Sequence, residues 1–538
     1  MSFDTSFYYR LTNAFQGTGQ ALDVKADGSR RLKMAPSADF SGQHWKLVDV
    51  GSGKYALRTD YLGDCFSLDV INDGVNQTPW LNDTGNFTGQ FWSLTPWGDG
   101  SYKLWNDFTG AAQSLNVFAE SFEPFVGAGD HTGQHWTLTP IRKIFAAAAP
   151  MLDPRTNTSD HNEGPSNYAT FARPLGTVKA LMLFVDFPDV HAGSFATEQA
   201  ADQMLGIIDV PILFFGKRYA AQQLLHDQSY GKLTLDVDVR HDLGWRRMPK
   251  PSSSPDYDFS ETGTDRGGAQ KRYLTDAGLL FAPPFGSKVI FAAYQIVYIV
   301  PPPGSHLPIS PAFNAAVGSG APSLTGEIRL AVTLGQDAYR FRYITLVHET
   351  GHLFDLPDLY YDRAENSRAG CWDIMSDTFR AGSFLGWHRH KNGWLDSRRT
   401  LYISQSTPHW DVTISPLSGG CGVSMVVLPV DTPANPSKVL VIEVAPPILG
   451  RGTTPRPAKG VLLYTVDATV PTKQSPLAII PHHESPPVSG DSEYGYLADA
   501  AYDVGDERSL SIGTVSLGIK VLQKIGSSYN VRIAYQRF

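Results

Sequence analysis

The phrase "TGQHWTLTP" (Thr132–Pro140) is the last of three copies of one pattern near the N-terminus. The earlier copies are "SGQHWKLVD" (Ser41–Asp49) and "TGQFWSLTP" (Thr88–Pro96), and the three tryptophans are separated by 47 and 44 residues. A period in the forties is typical of architectures built from equivalent units. Each unit alternates apolar positions with Gly, Asn and Asp, which predicts short strands. One unit is too small to bury a core, so we expect residues 1–140 to fold as a single all-β domain.

The repeated Gln-x-Trp phrase resembles that of the ricin-type β-trefoil lectins. This resemblance covers about a quarter of the chain and rests on three pairs: Gln43/Trp45, Gln90/Trp92 and Gln134/Trp136. It implies that the tryptophans form the core and that the glutamines make structural hydrogen bonds. It also implies that glycans are partners of this domain.

Sugar binding in such lectins uses a polar residue early in the repeat and an aromatic platform after it. The early polar residues here are Asp23, Asp69 and Asn116, and the second repeat offers the best aromatic residue, Trp80, with Asn82 nearby. An aromatic face stacks on the C–H surface of a sugar, and a carboxylate accepts hydrogen bonds from two hydroxyls. The alternative is that the aspartates only cap turns.

The rest of the chain divides into three regions by residue composition and hydrophobic periodicity. Residues 141–168 are rich in Ala, Pro, Asn and Ser without periodicity, which predicts a linker. Residues 169–400 mix helical and strand patterns, so we expect an α+β domain, and the site described next makes it the catalytic one. Residues 401–538 alternate again at strand lengths, which predicts a β-sandwich-like domain packed on the catalytic domain.

The stretch "YITLVHETGHLFDLPDLYY" (Tyr343–Tyr361) carries the clearest chemistry. His348 and His352 are four residues apart, so a helix places both on one face, where two imidazoles can bind one Zn²⁺. Glu349 is then close enough to take a proton from an attacking water. Asp358 follows as a third ligand, which leaves the fourth position open, as a catalytic zinc site requires. The alternative is a helix that carries two surface histidines and no metal.

A second phrase, "CWDIMSD" (Cys371–Asp377), follows the histidine motif. Zinc peptidases of the metzincin clan place a methionine turn beneath the metal after such an extended motif. Met375 would then pack under the ligands without coordinating the metal. The alternative is an ordinary core methionine.

The region from about residue 180 to residue 470 resembles the immune inhibitor A family of metzincin-like metalloendopeptidases. The matching phrases, in family order, are "LMLFVDFPD", "SYGKLTLDV", "HETGHLFDLPDLY", "WDIMSD", "FLGWHRHKNGWL" and "KGVLLYTVD". The resemblance implies a zinc-dependent endopeptidase with Glu349 as general base and with His348, His352 and Asp358 as ligands of one catalytic Zn²⁺. It also raises Ca²⁺ as a cofactor, but no loop shows a calcium-binding pattern.

One position departs from that family. Asp355 stands where the family usually has glycine, a residue suited to positive φ. Aspartate tolerates that conformation better than most residues, at some cost, so the turn toward Asp358 could be strained or reshaped. We expect Pro357 to end the helix. A metal-free relative of the family stays open as an alternative.

Four residues near the motif invite a role in holding the oxyanion that forms on the substrate. They are Tyr360, Tyr361, His388 and His390. Structural packing or surface placement is the simpler interpretation of each.

These features together predict a zinc-dependent endopeptidase that its lectin domain targets to glycans or glycoproteins. The alternative is a glycan-binding lectin with a catalytically silent peptidase domain. A glycoside hydrolase would need paired carboxylates across a cleft, and no local motif indicates them.

The charge, apolar runs and cysteine content of the chain argue against several other classes of protein. A formal charge of −8 and a pI near 6 argue against nucleic-acid binding. The longest apolar run, "VIFAAYQIVYIV" (Val289–Val300), is too short to span a bilayer and predicts a buried strand. Three scattered cysteines form neither a disulfide scaffold nor a cysteine metal site. The N-terminus has no classical signal pattern, which favours a cytoplasmic protein or release by an unconventional route, although a lectin also fits action outside the cell.

Overall fold

The structure is a computed structural model. It describes residues 3–143, 149–159, 161–209, 218–260, 263–281, 289–361, 367–419, 422–449, 455–456, 459–482 and 497–538. Parts of the predicted linker (144–148 and 160) and Cys421 therefore lie outside the described residues. No helix in the described ranges is long and apolar enough to cross a membrane.

Residues 3–143, all of them described, form a β-trefoil. The strands in chain order are β1 (Phe7–Asn13), β2 (Gln20–Val24), β3 (Leu32–Pro36), β4 (Trp45–Gly51), β5 (Lys54–Thr59), β6 (Phe66–Val70), β7 (Pro79–Asp83), β8 (Trp92–Pro96), β9 (Tyr102–Asn106), β10 (Gln113–Val117), β11 (Pro124–Ala128) and β12 (Trp136–Lys143). β1, β12, β9, β8, β5 and β4 close into a barrel, and β2–β3, β6–β7 and β10–β11 form three hairpins beside it. The predicted all-β domain of three equivalent units is confirmed.

The repeated phrase explains how each unit closes. Trp45, Trp92 and Trp136 are fully buried, and each indole N–H donates to a carbonyl on the neighbouring hairpin, at 2.8–2.9 Å. The glutamine two residues before each tryptophan is also buried and donates its side-chain amide to a hairpin carbonyl, at 2.8–2.9 Å. Burial of the ring drives the packing, and the paired hydrogen bonds fix its orientation.

The middle region is an α+β unit in which six helices are interspersed among the strands of the described residues. They are β13 (Gly176–Asp186), α1 (Thr197–Leu205), β14 (Ile207–Asp209), β15 (Arg218–Tyr219), α2 (Ala220–Gln228), β16 (Leu233–Val239), β17 (Arg246–Arg247), α3 (Arg266–Leu280), β18 (Ile296–Val300), β19 (Ala312–Asn314), β20 (Ala321–Ser323), β21 (Gly326–Ile328), β22 (Leu330–Thr333), α4 (Gln336–Phe341), α5 (Tyr343–Leu353) and α6 (Gly386–Lys391). In the described ranges the main sheet has the order β16-β13-β18-β22-β19. Its first four strands are parallel, and β19 is antiparallel at the edge. The run at 289–300 is a strand only over β18.

The C-terminal region is a β-sandwich. Its strands are β23 (Thr400–Tyr402), β24 (Thr407–Ile414), β25 (Met425–Pro429), β26 (Lys438–Val444), β27 (Ile448–Leu449), β28 (Pro455–Arg456), β29 (Val461–Asp467), β30 (Leu477–Ile479), β31 (Glu507–Ile512), β32 (Val515–Ile525) and β33 (Ser528–Arg537). Sheets β23-β25-β26-β29-β30 and β24-β33-β32-β31 enclose one apolar core. The opposite face of the first sheet packs into the core of the α+β unit, because its strands are apolar on both sides.

The trefoil rests against this sandwich. Ile525, at the end of β32, packs against the trefoil core, and the Tyr61 hydroxyl donates to Gln523 at 3.2 Å. Cys65 in the trefoil is disulfide-bonded, and Cys371 is buried in the α+β unit. The lectin-like unit is therefore joined to the rest of the chain by tertiary contacts.

Candidate metal centre

The two motif histidines lie on α5, a helix that is buried over nearly its whole length. The His348 Nδ1 atom lies 2.9 Å from the Ile374 carbonyl, and the His352 Nδ1 atom lies 2.8 Å from the Leu356 carbonyl. A neutral imidazole that donates from Nδ1 presents a lone pair at Nε2. Both rings are therefore oriented to offer Nε2 to a shared point.

The helix ends at Leu353, four residues before Pro357, so the prediction that proline ends it was wrong. The N–H of Leu356 donates to the Gly351 carbonyl and the N–H of Asp355 donates to that of His352, both at 3.0 Å. This is a Schellman termination, which requires a left-handed residue after the helix. Asp355 supplies it with φ = 71°, so the turn is kept without glycine.

That turn brings Asp358 back to the histidines. Its Oδ1 atom lies 3.2 Å from Nε2 of His348 and 3.2 Å from Nε2 of His352. Atoms that bind a tetrahedral zinc at about 2.0–2.1 Å lie roughly 3.3 Å from one another, so the spacing fits this ion. If both rings are neutral, their lone pairs face Asp358 Oδ1, a buried oxygen without a hydrogen bond in the described residues. A cation between the three atoms would remove that conflict. The residues present fit a catalytic zinc.

The electrostatics of the cluster agree with a cation. Burial opposes ionisation of Asp358, but His352 and His348 outweigh it and hold the pKa of that carboxyl well below its usual range. Burial likewise opposes protonation of His348, yet its contact with Asp358 raises the pKa of the imidazole. The cluster thus attracts positive charge despite its burial.

Asp358 is held in place by the C-terminal sandwich. The backbone N–H of Asp358 donates to the Thr472 hydroxyl at 3.0 Å, and the N–H of Lys473 donates to the Asp358 carbonyl at 3.1 Å. Thr472 and Lys473 also line the cleft, which has a volume of about 590 Å³. The sequence carried no signal for this contact, since the partners are more than 100 residues apart.

Glu349 lies beside the ligands in the same cleft. Its carboxylate oxygen is 3.9 Å from Nε2 of His348, and its side chain keeps 11% of its surface exposed. Burial raises the pKa of the Glu349 carboxyl to about 8, and a cation in the site would lower it again. The carboxylate is therefore close enough to the ligand cluster to exchange a proton with water there.

Met375 is fully buried directly below α5. A side chain on Gly351 would come within 2.6 Å of the Met375 sulfur, so the glycine is what lets this turn approach the helix. The preceding residue, Ile374, orients His348 through its carbonyl. The turn thus supports the ligands by packing and by one hydrogen bond.

Residues 149–159 and 161–168, which we call the strap, run across the α+β unit without a helix or strand in their described parts. His161 of the strap lines the cleft, with its ring centroid 5.2 Å from that of His352. Its Nδ1 atom lies 3.7 Å from Asp355, and Lys391 binds Asp355 at 3.2 Å and the strap carbonyls of Asn162 and Gly164. The aspartate in place of glycine therefore connects the helix end to the strap.

We predict that Asp355→Asn lowers the free energy of unfolding by about 3 kcal/mol. Lys391 has no exposed side-chain surface, and removal of one partner from a buried ion pair typically costs about 3–5 kcal/mol. Calorimetry would measure the shift in the unfolding temperature of the α+β unit.

Asp355→Gly is the matched comparison, because it removes the carboxylate but relieves the positive φ. It should remain less stable than wild type. An Asp355→Gly protein as stable as wild type would show that the ion pair contributes no more than the positive φ of Asp355 costs.

A second buried cluster lies under the methionine turn. His388 on α6 lies 3.2 Å from Glu163 of the strap and 3.0 Å from Asp373, and all three side chains are fully buried. Asp373 also accepts the backbone N–H groups of Met375 and Leu385, each at 2.7 Å. Burial opposes protonation of His388, but Asp373 and Glu163 outweigh it and raise its pKa to about 10.

A pH dependence of stability follows from this cluster. Because the pKa of His388 is higher in the folded than in the unfolded chain, its contribution is complete below about pH 6.5 and is lost as the pH rises toward 10. We expect the free energy of unfolding to fall across that window. In Glu163→Gln, with one carboxylate fewer, the fall should end at a lower pH. Identical pH profiles for the two proteins would contradict this assignment.

The four residues considered for the oxyanion lie in different places. His388 is fully buried in the cluster just described, and burial lowers the pKa of His390 to about 4. Tyr361 is 56% exposed, whereas Tyr360 lines the cleft. Only Tyr360 of this group borders the metal ligands.

The predicted sugar-site residues occupy equivalent positions on the trefoil hairpins. Asp23 pairs across its hairpin with Lys33, Asp69 with Trp80, and Asn116 with Phe125. The three polar residues are buried, and each accepts the backbone N–H of the next residue.

The second hairpin carries more of the expected sugar-binding groups than the other two hairpins. Asp69 accepts hydrogen bonds from Asn82 and from Gln90, both at 3.1 Å. Trp80 is half-buried, with the Arg30 guanidinium 5.2 Å from its ring centroid. An acid, an amide and an aromatic ring therefore meet only on this hairpin of the three.

No family model matches the chain, and no curated protein matches it. Among solved structures it is similar to the designed three-fold symmetric protein ThreeFoil, at 26% identity over 25% of this chain and 99% of that chain (TM-score 0.22). It is similar to a Polyporus squamosus lectin bound to the epitope Neu5Aca2-6Galb1-4GlcNAc, at 18% identity over 26% of this chain and 50% of that chain (TM-score 0.23). It is also similar to the BEL β-trefoil, at 14% identity over 26% of this chain and 97% of that chain (TM-score 0.22).

Proposed function

We propose that the protein is a zinc-dependent endopeptidase, as its resemblance to the immune inhibitor A family implies. The observation that carries the proposal is the convergence of His348, His352 and Asp358 on one point, with Glu349 beside it. A zinc ion held there would supply Lewis acidity, which activates water and polarises the carbonyl under attack. The comparisons with known proteins do not bear on this activity.

Glu349 has the position of a general base. Its carboxylate accepts a proton from the attacking water and delivers it to the leaving amine, so that no covalent intermediate on the protein is needed. The Nδ1 contacts of His348 and His352 hold the rings in place throughout. The cleft walls keep the carboxylate partly shielded from solvent.

The edge strand beside the site favours a peptide substrate. β19 pairs with β22 on one side, and in the described residues it has no strand partner on the other. Ala312 at its start lines the cleft together with Ser310. An extended peptide can add to such an edge through main-chain hydrogen bonds, which would lay its backbone across the metal ligands.

The test is elemental analysis of zinc together with hydrolysis of casein, with and without a chelator. About one zinc per chain and hydrolysis that the chelator removes and added zinc restores would support the proposal. Zinc without hydrolysis of casein or of a broad peptide library would indicate a silent peptidase domain. A protein without zinc affinity would exclude the peptidase.

A second proposal is glycan binding by the trefoil. The meeting of Asp69, Asn82 and Trp80 on one hairpin favours it, since sugars are held by carboxylate and amide hydrogen bonds and by an aromatic face. If both proposals hold, the trefoil raises the local concentration of glycosylated substrates. If only this one holds, the protein is a lectin with a silent peptidase domain.

We expect Trp80→Ala to weaken binding of the best ligand on a glycan array by about tenfold or more, which is the loss of one stacked ring with its contacts. Lys33→Ala is the matched control, because Lys33 occupies the same hairpin position in the first repeat. Equal losses in both variants, or none in either, would refute a sugar site on the second hairpin.

A further inference from the structure

Arg266 is a cation in the wall of the candidate active site, and it has no ion-pair or hydrogen-bond partner among the described residues. It is the first residue of α3, and its half-buried side chain lines the same cleft as His348 and Glu349. In the part of the chain that the structure describes, its guanidinium makes neither a hydrogen bond nor an ion pair.

Two other arginines of this unit are paired with carboxylates. Arg272, on the same helix, binds Asp265 at 2.8 Å, and Arg247 binds Asp186 at 2.6 Å. A half-buried guanidinium in a cleft, by contrast, carries an incompletely satisfied set of donors. It is therefore ready to bind an anionic group that enters the cleft.

The position of Arg266 relative to the edge strand follows from Gln270. The two residues are four apart on α3 and so lie on one face of the helix. The Gln270 amide donates to the carbonyl of Pro311 at 2.9 Å, immediately before β19 begins. Arg266 is one turn closer to the helix start, so it borders the track that a peptide along β19 would follow.

The other charged groups of the cleft already have contacts or face the metal position, which leaves Arg266 to bind an anionic group. Asp337 also lines the cleft, but it accepts the Ser310 hydroxyl at 2.6 Å and the Ser310 N–H at 3.0 Å. Lys473, on the part of the wall formed by the C-terminal sandwich, lies 5.8 Å from the ring centroid of Tyr360. Glu349 and Asp358 face the metal position.

We propose that Arg266 makes the site prefer peptides that carry an aspartate or glutamate side chain close to the scissile bond. Guanidinium and carboxylate form a two-point, charge-assisted pair that an amide cannot replace. This inference rests on the proposed peptidase function.

The experiment uses the full zinc-loaded chain and a set of quenched fluorescent peptides. The peptides differ at one position at a time, on either side of the scissile bond, and carry Glu, Gln or Lys there. For wild type, we expect kcat/KM for the best Glu peptide to be about tenfold higher than for the peptide that carries Gln at the same position. In Arg266→Gln, the Glu and Gln peptides should have nearly equal kcat/KM. In Arg266→Glu, the Lys peptide should have a higher kcat/KM than the Glu peptide.

Arg272→Gln is the matched control, since its side chain pairs with Asp265 and is absent from the cleft lining. It should keep the wild-type ratio. A wild-type ratio near one, or a ratio that Arg266→Gln leaves unchanged while the rates of all peptides fall together, would overturn the inference. The latter result would show that Arg266 acts on Glu349 instead of on the substrate.

A binding measurement separates this inference from the proposed activity. Zinc-loaded Glu349→Gln should bind the Glu peptide more tightly than the Gln peptide, and Arg266→Gln in that background should abolish the difference. Selective binding without cleavage by wild type would overturn the endopeptidase and retain the acidic-peptide site. Cleavage without selectivity would retain the endopeptidase and overturn the role of Arg266.

Discussion

Glu349→Gln should retain about one zinc per chain and lose roughly 10³-fold in kcat, within the 10²–10⁴-fold range that general acid–base catalysis contributes. The substitution keeps the shape of the side chain but removes the group that accepts the proton from water. The three ligands and their supporting carbonyls are unchanged, so zinc binding should survive. The measurement is zinc by elemental analysis beside peptide hydrolysis by the same preparation.

Glu120→Gln is a suitable control, because it makes the same chemical change at an exposed position of the trefoil. It should leave hydrolysis unchanged. Full activity in a zinc-loaded Glu349→Gln protein would remove Glu349 from the mechanism. A Glu349→Gln protein without zinc would show instead that the carboxylate helps to hold the metal.

His352→Ala should lose both zinc and hydrolysis. The variant keeps only His348 and Asp358 of the ligand set, and the Leu356 carbonyl loses its ring partner. Loss of an outer-shell partner alone typically lowers metal affinity about 10–100-fold, so loss of a ligand should exceed that range. Competition with a coloured chelator would measure the zinc affinity directly, independently of activity.

His226→Ala provides the control for this variant, since His226 is 51% exposed and lies outside the cleft. It should bind zinc as wild type does. Wild-type zinc affinity in His352→Ala would contradict the ligand set and return the two histidines to an ordinary structural role. A chelator should reproduce the effect of His352→Ala on wild type, and added zinc should reverse it.

The sequence was informative where the interacting groups are close along the chain or recur with a period. His348, Glu349 and His352 lie within five residues, and helix geometry alone places them together. The Gln-x-Trp phrase predicted the trefoil because each copy makes the same hydrogen bonds to its own hairpin. The positive φ at Asp355 was expected only from the resemblance, because the family usually has glycine there.

Residues contributed from distant segments could not be predicted. His161 in the strap, Thr472 after β29 and Arg266 at the start of α3 all reach the cleft, and none belongs to a motif. The composition of residues 141–168 predicted a linker, because Pro, Asn and Ser without periodicity give no sign of tertiary contacts. The charges that anchor the strap, Lys391 and His388, lie more than 200 residues away from it.

The sequence by itself determined the local chemistry of this protein: a repeated β unit with a tryptophan core, and a helix that offers two imidazoles and a carboxylate on one side. Local geometry decides these features, because hydrogen bonds within a helix or a hairpin span few residues. The tertiary structure alone decided what surrounds the metal position. Asp358 is fixed by a loop of the sandwich, and the cleft wall carries an arginine that has no ion-pair partner among the described residues. Those placements depend on the packing of whole domains, which no short stretch of sequence encodes.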